Sequence, residues 1–100
     1  MVSAHDNSFL GAWRKLSHDA CAARYPVQLR FDANGLYAGE AELAGEFTWW
    51  DRGTWQLTKA GELALSVATD AVEHYSFQLD AQALTITDTQ GCRVRYERET

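Results

Sequence analysis

Few side chains in this chain of 100 residues have the types that carry chemistry, so the first question is whether their spacing lets any of them act together. His18 and Cys21 form an H-x-x-C pair, a spacing that suits a base beside a thiol nucleophile or two ligands of one metal. Both fall in one connecting segment, and no third group at identifiable spacing orients the imidazole, so the pair reads as structural. His5 and His74 are far from it in sequence, which leaves no clustered metal ligands. Glu40, Glu42 and Glu46 share the outer face of neighbouring predicted strands. Carboxylates there serve solubility and lack the enclosure that would separate them into an acid and a base. Arg93, Arg95 and Arg98 are the only basic clustering, diluted by Glu97 and Glu99, and read as a solvated strand face. Neither a G-x-G-x-x-G fingerprint nor a P-loop occurs. The expectation is a protein that is not an enzyme and uses no cofactor or metal, with a hydrolase built on His18, Cys21 or the glutamates as the rival to be tested.

A chain of this length forms one domain, residues 1–100, and buries about two-thirds of the surface its unfolded form exposes. Hydrophobic residues at 46% and aromatics at 12%, with a single proline, exclude a disordered chain and supply bulky strand-forming side chains. A formal charge of −5 repels phosphate backbones and acidic membrane surfaces alike, so neither nucleic acid nor membrane is expected as a partner. Met1 to Ser8 has neither the cationic start nor the apolar run of a signal peptide, and no stretch approaches membrane-spanning length. A soluble, cytoplasmic protein is the expectation. A mature exported chain that has lost its leader would look the same, and would then be periplasmic.

The elements that must position these residues announce themselves through glycine. Ala33-Asn34-Gly35, Leu43-Ala44-Gly45, Asp51-Arg52-Gly53, Lys59-Ala60-Gly61 and Thr89-Gln90-Gly91 each fit a three-residue hairpin loop ending in a left-handed residue, and they use five of the seven glycines. Counting outward from each loop predicts the cross-strand partners. Phe31 meets Tyr37 and Leu29 meets Gly39; Ala41 meets Phe47 and Gly39 meets Trp49; Trp49 meets Trp55 and Phe47 meets Leu57. Leu57 then meets Leu63, and Trp55 meets Leu65. Ile86 meets Val94 and Leu84 meets Tyr96, while a four-residue loop at 80–83 sets Leu79 beside Leu84 and Phe77 beside Ile86. Apolar residues meet on one face throughout, as a half-buried sheet requires.

The predicted strands are 9–16, 26–32, 36–42, 46–50, 54–58, 62–68, 73–79, 84–88 and 92–98, most of them alternating with period two. Ser17 to Arg24, where a Ser or Asp cap precedes alanines, predicts one short helical turn near 18–24. The fold class is therefore all-β: a single up-and-down antiparallel meander of eight or nine strands, closing into a small barrel or a curled sandwich.

Phe9-Leu10-Gly11-Ala12-Trp13 resembles the G-x-W start of the lipocalin and wider calycin group. That resemblance implies that Trp13 closes one end of an antiparallel barrel and that Arg98, on the face of Val94 and Tyr96, packs across its ring. Gly11, Trp13 and Arg98 are accordingly assigned to barrel closure. Nine strands would make the first and last parallel, whereas lipocalins use eight, so one strand is surplus or the sheet stays open. On nine strands Cys21 and Cys92 fall at opposite rims and stay reduced. A disulfide would instead require the 17–25 loop to fold over the other rim, and would favour export. With a disulfide, the chain is also similar to the small bacterial metalloprotease inhibitors, lipocalin-like barrels of similar length, although Met1 to Ser8 lacks their inhibitory segment.

Eight large aromatics on the predicted inner face (Phe31, Tyr37, Phe47, Trp49, Trp55, Tyr75, Phe77 and Tyr96) fill a barrel only just wide enough for side chains, leaving at most a shallow site at one mouth. Trp50, next to an inward Trp49, is expected to face away from the core, either covered by the tail or the 17–25 loop or exposed as a contact anchor. Trp50, with His18 and Tyr25 of the long loop, is the candidate surface for a protein partner or a small apolar ligand. One version is a homodimer through the outer face around Trp50; an exported protease inhibitor is the alternative.

Overall fold

In the computed structural model, residues 9–17, 20–41, 48, 50–59, 61–67, 71–80 and 82–99 are described. Among them are eight strands: β1 (Gly11–Lys15), β2 (Gln28–Phe31), β3 (Leu36–Glu40), β4 (Arg52–Lys59), β5 (Glu62–Ser66), β6 (Val72–Leu79), β7 (Ala83–Thr87) and β8 (Arg93–Arg98). Each pairs antiparallel with its neighbour in sequence, and β8 returns to pair with β1, so the meander closes into a barrel. One 3-10 turn, Ala20–Arg24, lies between β1 and β2.

The strands form where apolar and polar residues alternate. In β2, Leu29 and Phe31 are buried while Gln28 and Arg30 are exposed, and β8 buries Val94 and Tyr96 while exposing Arg93 and Arg95. Each large apolar side chain so buried contributes about 1.5–3 kcal/mol, which rewards one register and opposes a one-residue slip that would turn every ring to water. The predicted partners Phe31 and Tyr37, Leu29 and Gly39, Leu57 and Leu63, and Trp55 and Leu65 all face one another. So do Phe77 and Ile86, Leu79 and Leu84, Ile86 and Val94, and Leu84 and Tyr96. Gly35, Gly61 and Gly91 take the left-handed conformation the turns demand, with φ of 86°, 77° and 88°.

Two expectations are corrected. Gly53 does not end a hairpin loop; it lies inside β4 opposite Tyr37, where a side chain would run into Ser66 of β5. Its glycine serves close approach, a use of the residue that the turn pattern cannot distinguish from a reversal. No strand lies between β3 and β4, which pair directly through Leu36 with Thr54, Tyr37 with Gly53 and Ala38 with Arg52; of the predicted strand 46–50 only Thr48 and Trp50 are described, and neither is in a strand. The Gly45 turn and the pairings assigned to Phe47 and Trp49 lie outside the described residues.

Eight strands also correct the parity. The connections that follow β1, β3, β5 and β7 emerge at one end of the barrel, and the remaining connections, the start of β1 and the end of β8 lie at the other. Cys21 and Cys92 therefore share an end, contrary to the expectation that they sit at opposite rims and stay reduced. They form a disulfide with Cα atoms 6.0 Å apart. The core is one contiguous cluster. At the end where β1 starts, Phe9 packs against Phe31, Trp55 and Phe77 at centroid distances of 5.3, 5.6 and 4.8 Å.

Candidate functional site at the capped end of the barrel

Lys15 ends β1 pointing into the barrel mouth, and its ammonium donates to the carbonyls of Ala22 (2.8 Å) and Tyr25 (2.9 Å). Ala22 lies in the 3-10 turn and also accepts the Tyr25 N–H at 3.1 Å, and Tyr25 directly follows the turn; a cation is a natural partner for carbonyls at the end of such a turn. The turn is thereby drawn across the mouth as a cap, with Ala22 buried beneath it. The disulfide fastens the cap to the start of β8.

A second fastening is polar. Tyr25 Oη donates to Asp88 Oδ2 at 2.7 Å, while Asp88 Oδ1 accepts the backbone N–H groups of Gln90 (2.9 Å) and Cys92 (2.8 Å). Asp88 thus shapes the β7–β8 turn and holds the cap with the same carboxylate. Burial opposes its ionisation, but the hydrogen bonds from Tyr25, Cys92 and Gln90 outweigh burial and hold it below its ordinary value. Burial first, and the bond to Asp88 second, push the Tyr25 hydroxyl far up. Tyr96, whose hydroxyl donates to the Pro26 carbonyl at 2.7 Å, is pushed up by burial as well.

Beneath the cap lies Trp50. Of its two expected settings, the exposed contact anchor is corrected and cover by the 17–25 loop is found: the side chain is fully buried, 0% exposed, under the Tyr25 ring at a centroid distance of 4.2 Å and edge-on to Tyr75 at 5.1 Å. The cause is at Gly39. A side chain there would collide with the Trp50 carbonyl and lie 2.8 Å from Pro26 Cγ, whereas hydrogen lets the chain cross close over β3, with the Gly39 N–H donating to the Asp51 carbonyl at 2.7 Å. The crossing residue is not part of a strand, so strand alternation does not decide where its indole points.

The Trp50 indole N–H makes no hydrogen bond. It is near enough to the Tyr75 hydroxyl to draw that group's pKa down against the larger upward push of burial, yet the two do not meet in bonding geometry. An unmet buried donor costs about 1–3 kcal/mol.

Of the sequence candidates, Trp50 and Tyr25 come together, as a buried stack and not as an exposed anchor. His18 lies outside the described residues, as do His5, Glu42 and Glu46. Gly11, Trp13 and Arg98 belong to the opposite half of the barrel wall. The Arg98 guanidinium lies 4.3 Å from the Trp13 ring centroid and donates to the Leu10 carbonyl at 2.8 Å, and the Trp13 indole N–H donates to the Phe9 carbonyl at 3.0 Å. Cys21 is committed to the disulfide and is not a free thiolate in this state. Glu40 is exposed, and His74 sits on the outer wall beside Glu62 at 3.1 Å. Among the described residues no three His, Cys, Asp or Glu side chains converge as metal ligands. Lys15 and Asp88 carry the cap yet escape notice in the sequence. For Asp88 a signal exists: an aspartate just before Thr89-Gln90-Gly91 is the residue that bonds its own backbone two positions on.

The chain matches no family model, no curated protein and no solved structure.

Proposed function

We propose that the chain is a non-enzymatic binding protein that works in an oxidising compartment and meets a protein partner with the outer surface of its capped end. The observation that carries this reading is the contiguous cluster of rings through the barrel, which favours a surface contact over an apolar ligand held inside. The Cys21–Cys92 disulfide supports the compartment, because such bonds persist outside the reducing cytoplasm. It also favours the periplasmic location over the cytoplasmic one. Kinship with lipocalins is part of the proposal and rests on the Gly11, Trp13 and Arg98 geometry.

Around the cap the exposed surface includes Leu16, Ala20 and Ala23, with Arg93 and Arg95 on the adjoining wall. Because Trp50 is buried, a homodimer anchored on its side chain loses that anchor. A photocrosslinker at Ala23 should capture a partner that one at Gln56, on the barrel wall, does not; equal capture from both positions contradicts the assignment. Titration with a long-chain fatty acid should give no saturable one-to-one uptake, and uptake that shifts the Trp55 and Leu65 signals would restore the ligand chamber.

The second reading, an exported protease inhibitor, is favoured by the same disulfide, which makes the barrel a stapled mount. It predicts stoichiometric loss of activity for at least one secreted metalloprotease, and a panel left fully active by excess protein removes it.

A further inference from the structure

We propose that Cys21–Cys92 is a thiol–disulfide exchange site that latches the 20–25 cap, and that reduction by a dithiol frees the cap and opens Trp50 to solvent while the barrel stays folded. This goes beyond the binding reading and does not depend on it. The argument has three parts.

The first is independence of the barrel from the latch. The wall is closed by the β1–β8 ladder, in which Trp13 faces Arg98, Arg14 faces Glu97 and Lys15 faces Tyr96. None of these pairings passes through the disulfide or the cap, so loss of the bond leaves the ladder complete. The second is that the cap's polar fastenings are exchangeable with water, its other hold being the burial of Ala22 and Tyr25 against the core. Those polar fastenings include the Lys15 bonds to two carbonyls and the Tyr25–Asp88 bond, groups that water can also satisfy. The disulfide is its covalent tie.

The third is what the closed cap hides. Trp50 is 0% exposed with its indole N–H unbonded, directly under Tyr25. Lifting the cap lets water bond that N–H, so the closed state works against a cost that opening relieves. A cap closed over a satisfied apolar surface would have no such opposing force.

The sulfurs differ in access: Cys21 is half-buried on the cap and Cys92 is buried at the start of β8. A thiolate of the dithiol attacks Cys21 Sγ, the Cys21–Cys92 bond breaks, and Cys92 leaves as a thiolate that takes a proton. The dithiol's second thiolate then attacks its own sulfur in the mixed disulfide and releases Cys21 as a thiol. Two electrons and two protons pass to the protein, and the reductant ends as an intramolecular disulfide.

Hydrogen exchange read by NMR on the intact protein, before and after dithiothreitol, tests this. Reduction should speed exchange of the Trp50 indole N–H at least tenfold while the amides of Leu84, Ile86, Val94 and Tyr96 keep their protection. A Cys21→Ser, Cys92→Ser variant without dithiothreitol should reproduce the reduced pattern, separating loss of the bond from any other action of the reductant. Unchanged Trp50 exchange after complete reduction overturns the proposal. Loss of protection throughout β7 and β8 overturns it equally, since the disulfide would then be a staple of the whole fold.

Discussion

Asp88 receives three donors on one carboxylate: the Tyr25 hydroxyl and the amides of Gln90 and Cys92. A folded-state pKa held below the ordinary 3.8 means that its contribution to stability is complete above that value and is lost as the pH falls through the lower folded one. The carboxyl resonance of Asp88 should therefore titrate below 3.8, and Tyr25→Phe should raise the midpoint by removing one donor. A parent midpoint at or above 3.8 would show that burial prevails over the bonds. Gly39 gives a second residue-level test. Gly39→Ala places a methyl against the Trp50 carbonyl and Pro26, both with backbone or ring constraint and little room to yield. Denaturant unfolding should show a loss of about 2–3 kcal/mol, at the upper end of ordinary overpacking; a loss below about 0.5 kcal/mol would mean that the crossing can shift.

Among the elements, the seam between β1 and β8 closes the wall, and Arg98 works on both sides of it. Its guanidinium lies over Trp13 and bonds the Leu10 carbonyl. Arg98→Met keeps the stem and removes both contacts, so it should cost about 2 kcal/mol in chemical unfolding at unchanged m-value, from a shielded cation–π contact and one lost hydrogen bond. A cost indistinguishable from zero would make the stacking incidental. The hairpins were legible because a glycine at Gly35, Gly61 or Gly91 fixes both the reversal and the count from which partners follow. The stretch before β4 was not. Gly53 imitates a turn while serving the approach of Ser66, and Trp49-Trp50 imitates alternation while Trp50 crosses over Gly39. One surplus strand then reversed the direction of every later strand, and with it the side on which Cys92 was placed. Counting nine strands therefore favours reduced cysteines, with the disulfide as the alternative; eight strands make the disulfide the natural outcome. The cap itself was visible as a helical turn, but its fastening by Lys15 and Asp88 depends on closure, which no local pattern reveals.

For the molecule as a whole, the four tyrosines make a single prediction. Tyr25, Tyr37, Tyr75 and Tyr96 all have their hydroxyl pKa raised, burial being the largest cause in each. The neutral forms are the ones the fold keeps, so their contribution is complete below the ordinary 10.0 and is lost as the pH rises above it, where the unfolded chain ionises and the folded one does not. Tyrosinate absorbance should stay flat through pH 10 and then rise together with the loss of β-sheet circular dichroism. A full tyrosinate signal at that pH with the sheet intact would mean that the hydroxyls are solvated. What the rings could not reveal from sequence is which end each one serves: the phenylalanines Phe9, Phe31 and Phe77 cluster beside Trp55, whereas Tyr25, Trp50 and Tyr75 gather under the cap. The most direct test of the architecture is a set of cross-strand proton contacts in solution. The account predicts contacts between β3 and β4 at Tyr37 with Gly53, and between β1 and β8 at Trp13 with Arg98, as eight staves in a closed ring require. Contacts that instead insert residues 46–50 between β3 and β4, or leave β1 and β8 unpaired, would contradict the closed eight-stranded barrel and the placement of the cap.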